Sequence, residues 1–170
     1  MSFQPPNSPA QTSQQYSMAL TVIHGALLMG IVMFSGVAWF VNQNSPMNMG
    51  DTQELQIFQM LLPFFVVASI GGTMYLGWKR LPKIKEQETL SKKLIGYRNL
   101  LITSYALLEG AAMLILAYYL MTGNMTALGL AAIIVFYFFI ERPTLSKTIR
   151  VLELTAVEKK KLSTPDEIVI

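Results

Sequence analysis

The chain has 170 residues, 52% of them hydrophobic and only 14% charged, with a net charge of +3. A soluble domain carries about 25% charged residues, so the composition argues for a membrane protein. With no cysteine and a single histidine, His24, the chain lacks the means for disulfides, thiolate catalysis, Cys-based zinc sites or a multi-His metal cluster, and no cofactor is expected.

Met1–Ser17 is rich in Gln, Pro and Ser and has no Lys or Arg. It reads as a disordered cytoplasmic tail rather than a cleavable signal peptide. Apolar runs then predict four spans, at about 18–41, 57–78, 100–121 and 125–140. At 1.5 Å per residue the first three cross a hydrocarbon core of about 30 Å, whereas the fourth reaches only about 24 Å. It must continue past Glu141, thin the bilayer or sit lower in it. Pro63 is expected to kink the second span, and Pro143, lacking an amide hydrogen, to end or kink the fourth.

All 13 Lys and Arg fall in Lys79–Arg98 and Arg142–Lys161, while the segment Asn42–Gln56 carries only acidic charges. Basic segments stay on the cytoplasmic side. The expected fold is therefore an all-α integral membrane protein with four transmembrane helices in two tandem hairpins and cytoplasmic N- and C-termini. The transmembrane domain covers 18–141, with a basic loop over 79–98 and a basic amphipathic tail over 142–170. Anionic lipid headgroups are the expected neighbours of loop and tail. Nucleic acid is not, because no basic motif is interleaved with aromatics for stacking on bases.

Within the loop, Thr89 can cap a helix running through Leu90, Leu94 and Ile95 into the third span. Beyond Pro143, Leu145, Ile149 and Leu152 recur at helical spacing. Thr155 followed by Glu158 forms a capping-box pattern for a last short helix. A basic amphipathic tail after a span is expected to lie along the headgroups.

The two hairpins echo one another. Ala26-Leu27-Leu28-Met29-Gly30 matches Ala106-Leu107-Leu108-Glu109-Gly110, 80 positions later, and Met33 and Asn44 match Met113 and Asn124. A duplicated hairpin in parallel orientation explains this economically. The shared small pairs, Ala26 with Gly30 and Ala106 with Gly110, stand one turn apart and let another helix come close. The same applies to Gly71 and Gly72. Such contacts join either the helices of one bundle or two copies of the chain, and the intramolecular use is the expectation.

Glu109 is the residue that stands out. An ionised group inside a span costs between about 3 and more than 10 kcal/mol, so it usually faces a partner, a cavity or a pathway. A carboxyl there can take up and release a proton. Tyr105, one turn nearer the cytoplasm, and His24, at a similar depth on the first span, complete a candidate Glu109–Tyr105–His24 proton or ligand site. The competing expectation is a hydrogen-bonded core carboxyl that fixes helix register. No nucleophile–base pair, phosphate-binding loop or carboxylate cluster is evident, so enzyme activity is not expected.

The stretch Tyr105–Asn124 (YALLEGAAMLILAYYLMTGN), with Glu141-Arg142-Pro143-Thr144, resembles a group of uncharacterised bacterial four-span inner-membrane proteins. That likeness covers the second hairpin and implies a multi-pass place in the bacterial inner membrane, with no activity attached. The third span is also similar in part to the proteolipid c subunit of rotary ATPases, which would make Glu109 a proton carrier. That family places its carboxylate on the second helix of a hairpin and its termini away from the cytoplasm. Two functional classes follow. One is a proton- or small-solute-linked bundle acting through Glu109. The other is a non-catalytic membrane scaffold or accessory subunit, with a homo-oligomer or a larger membrane complex as its context.

Overall fold

The protein's computed structural model describes residues 10–44 and 52–170. Six helices follow in chain order: α1 Ser13–Asn44, α2 Gln53–Lys85, α3 Leu90–Thr122, α4 Met125–Ile140, α5 Leu145–Val151 and α6 Ala156–Ser163. Among the described residues there is no strand, only an isolated bridge between Thr12 and Ile168. Three helices, α1 to α3, are long and apolar enough to cross a membrane. A fourth candidate is α4 taken with α5, bent by 80° at the break.

Helix ends follow local chemistry. Thr89 caps α3 by accepting from the Lys92 amide, and Thr155 with Glu158 completes a reciprocal capping box on α6. Gly123 closes α3 in the left-handed conformation at φ 68°, which glycine adopts without a Cβ penalty. Pro143 follows the end of α4 at Ile140, and the chain turns away there rather than continuing past Glu141. Pro63 and Pro82 lie within α2, whose helix runs on through both.

The helix α3 is the centre of the bundle. It buries eleven residues, against six on α1 and five on α2. α1, α2 and α4 all pack on α3, whereas α1 and α2 make little contact with each other. The middle of the core is apolar and closely packed, with Ile31, Ala112, Ile115, Leu116, Ile134 and Phe138 fully buried. Large apolar side chains line the outside instead, among them Met33, Phe64, Val67 and Phe136, each at least 64% exposed. Such a surface is unfavourable against water and suits hydrocarbon.

Parallel pairing of α1 with α3 gives the internal echo a structural meaning. The Tyr16 hydroxyl donates to the Leu94 carbonyl, 78 positions on, at 3.1 Å. At the other end the Asn42 amide donates to the Tyr119 and Leu120 carbonyls, 77 and 78 positions on. Residues that match in sequence thus stand at nearly the same level of the two helices.

Several expectations on boundaries need correction. The helix α1 begins at Ser13, ahead of the expected span start near Met18, with Tyr16 and Leu20 buried against the bundle. Residues 1–9 of the expected disordered tail lie outside the described residues, but Gln11 to Ser17 are ordered. Gln11 and Ser13 bond the backbone of Ile170 and Glu167, and the Ser13 hydroxyl donates to the Leu162 carbonyl. The loop expected over 79–98 shrinks to Glu86–Thr89, since α2 and α3 extend well past their apolar segments.

The tail does not lie flat away from the protein. Leu152, Leu162 and Val169 are buried, and α6 packs on both α1 and α5. Lys93 on α3 bonds Glu158 on α6 at 2.9 Å, with both side chains largely buried, and Lys85 reaches Glu153 at 2.6 Å. The apolar stripe of the tail covers the ends of the long helices.

Candidate functional site

The three candidate residues fall into two places. His24 and Tyr105 meet at the end of the bundle nearest the α4–α5 break, where their rings lie 4.9 Å apart, edge to face. Phe138 of α4 completes the cluster, with its ring 4.9 Å from His24 and 5.1 Å from Tyr105. The Tyr105 hydroxyl donates to the Glu141 carbonyl at 3.0 Å, and so points away from Glu109. His24 is only 7% exposed, and its buried Nδ1 has no hydrogen-bond partner among the described residues.

Glu109 lies one turn further along α3, half-buried at the seam with α1. A Cβ added to Gly30 would stand 3.7 Å from its Oε1, so Gly30 makes room for the carboxyl. Among the described residues Glu109 forms neither a hydrogen bond nor an ion pair. Four residues advance a helix by about 400°, so Tyr105 and Glu109 differ by about 40° in direction. That offset is enough to send one side chain into the core and the other to the seam.

The four small residues also divide. Gly30 packs against Glu109 and Met113, but Ala26, Ala106 and Gly110 are exposed, and an added Cβ at Gly110 would meet nothing within 4 Å. The intramolecular use expected for these pairs is therefore met only at Gly30. The close approach of helices occurs instead at Gly72, where a Cβ would come within 2.6 Å of Leu107 Cδ2. Ala106 and Gly110 line a shallow groove between α2 and α3, beside Ser69 and Ala111.

A better-formed cavity of about 190 Å³ lies where α4 breaks. Its walls come from Thr73, Gly77 and Leu81 on α2, Tyr97, Ser104 and Tyr105 on α3, Tyr137 and Glu141 at the end of α4, and Lys147 on α5. Lys147 Nζ donates to Glu141 Oε2 at 2.6 Å, and both side chains keep partial exposure. Of these residues the sequence singles out Tyr105 as a site candidate, but not the Glu141–Lys147 pair. The one available signal was Glu141-Arg142-Pro143, which puts a charged pair beside the proline that ends the apolar run.

Among the described residues no group of three His, Asp or Glu side chains is placed to hold a metal ion. The chain matches no protein-family model, no curated protein and no solved structure. The class defined by fold and surface is that of a multi-pass helical membrane protein, and the likenesses of the second hairpin rest on the residues quoted for them alone.

Proposed function

We propose that this is a four-span protein of the bacterial inner membrane, with both termini in the cytoplasm, that serves as a non-catalytic scaffold or accessory subunit. The observation that carries this reading is Glu109, which stands at a lipid-facing seam of α1 and α3 with no hydrogen-bond or ion-pair partner among the described residues. Intramembrane carboxyl groups face a partner or a water-filled space. Between Glu109 and the outer end the core is packed with apolar side chains, which favours a neighbouring helix over a channel through the monomer. A hydrogen-bond donor on a helix of a second copy, or of another membrane subunit, would satisfy the carboxyl. The ends of α2 and α3 and the folded tail gather all 13 basic residues on the face assigned to the cytoplasm.

A second reading keeps a proton- or small-solute-linked role, and the unpaired His24 Nδ1 beside Tyr105 favours it. Purification from native membranes in mild detergent separates the two, using the whole chain and two variants. On the scaffold reading a stoichiometric partner or second copy is retained by wild type and Glu109→Gln, which both hydrogen-bond, and is lost with Glu109→Leu. Retention unaffected by Glu109→Leu would defeat that reading. A pH-driven flux in proteoliposomes that Glu109→Gln abolishes would establish the second.

A further inference from the structure

We infer that the cavity under the α4–α5 break binds the head of a zwitterionic amphiphile, one carrying an ammonium and a phosphate, and that its source is a membrane lipid. The cavity exists because α5 leaves α4 at 80° while α2 and α3 continue past the break. A straight α4 would fill the space.

Its lining mixes chemistries, setting Glu141, Lys147, Tyr97 and Ser104 among the apolar side chains of Met74, Leu101 and Leu108. An ammonium has three N–H donors. Lys147 places one on Glu141 Oε2 and keeps two, and Glu141 keeps its second oxygen as an acceptor. The Tyr97 and Ser104 hydroxyls have no hydrogen-bond partner among the described residues, and neither oxygen is fully buried. A partly buried ion pair offers both signs of charge a few ångströms apart, so a ligand carrying both signs can be matched at each end. An anion alone would meet the Glu141 carboxylate, and a cation alone the Lys147 ammonium.

Size and position select the source. A volume of 190 Å³ corresponds to about six waters, smaller than the roughly 300–1,000 Å³ of sites that enclose a whole ligand. It accommodates a headgroup and leaves acyl chains outside. The wall formed by Met74 is 65% exposed, and Tyr75 and Trp78 beside it are also exposed, in the manner of an interfacial aromatic belt. The mouth between α2 and the α4–α5 elbow therefore faces lipid.

The test uses the full-length protein in detergent and counts bound lipid by native mass spectrometry. The probes are dioleoyl phosphatidylethanolamine, dioleoyl phosphatidylglycerol with the same chains, and soluble phosphoethanolamine. One phosphatidylethanolamine is expected to be retained, at least ten-fold more tightly than phosphatidylglycerol. Lys147→Gln should weaken it about ten-fold. Because Lys147→Gln leaves Glu141 unpaired, Tyr97→Phe serves as a second variant that removes only an unbonded hydroxyl, with an expected loss of about three-fold. Phosphoethanolamine binding as tightly as the lipid would sustain the recognition chemistry and overturn the lipid source. Equal retention of both lipids, or retention unchanged in both variants, overturns the site.

Discussion

The helices α1 and α3 carry the same short motif and stand at the same level, yet they live in different surroundings. At the motif's fourth position α1 places Met29, 57% exposed to the surroundings of the bundle, and α3 places Glu109, half-buried at the seam between the two. Leu28 is partly buried, while its counterpart Leu108 is 1% exposed. The difference comes from the number of neighbours. α3 is packed by three helices and α1 chiefly by α3, so one motif serves as core in one copy and as lipid-facing surface in the other. A repeat in sequence therefore fixes level along the bundle without fixing depth across it.

The most severe way to probe this contrast is to truncate the matched leucines. In a bilayer the unfolded reference also lies in hydrocarbon, so the transfer part of a Leu→Ala loss is small and the cavity part remains. Leu108→Ala should cost about 2 kcal/mol, whereas Leu28→Ala should cost less than about 1 kcal/mol because lipid can fill the space. Reversible unfolding in mixed micelles measures both. Equal losses would mean that α1 is as enclosed as α3, contrary to the arrangement described.

The parts of this fold that were legible from sequence are those set by local chemistry. Thr89, Thr155 with Glu158, and Pro143 each predict a helix end that is found, and the 16 residues of α4 match the fourth apolar run. What could not be read is what an apolar face touches. Leu152 and Leu162 form a stripe that suits headgroups or protein equally, and burial against α1 and α5 is a tertiary choice. The Lys93–Glu158 pair joins residues 65 positions apart, so no window along the chain reveals it. At the candidate site, spacing placed Tyr105 and Glu109 on one broad face. It could not show that α1 and α4 divide that face between them. The Glu141–Lys147 pair was missed because the bend that creates its cavity depends on α2 and α3 running past it.

A milder test compares the cap formed by the C-terminal tail with the bundle it packs on. Burial raises the Glu158 carboxyl, but hydrogen bonds from Lys93 and Thr155 outweigh this and hold it below its ordinary value of 4.5. A carboxyl depressed in the folded state contributes stability above the unfolded value, and that stability is lost as pH falls through the folded value. Acidification from pH 7 through 4.5 and below should release α6 while α1 to α4 persist. Hydrogen exchange would show it as faster exchange over Ala156–Ser163 alone, reproduced at neutral pH by Lys93→Ala. Simultaneous loss of protection in α3 would mean that cap and bundle form one cooperative unit.

The smallest effect concerns Ala26, the residue whose small size first suggested close packing on α1. It is exposed, and none of the described helices covers it, so Ala26→Leu adds a side chain to a lipid-facing surface already carrying Met29 and Met33. Purified in detergent, the variant should unfold within about 0.5 kcal/mol of wild type, as for surface changes that break no particular contact. Gly30→Leu, one turn on, drives a side chain toward Glu109 and Met113 and should be clearly worse. If Ala26→Leu were the more damaging of the two, the face of α1 turned to α3 would be the one carrying Ala26. The pairing of Gly30 with Glu109, on which the seam depends, would then be lost.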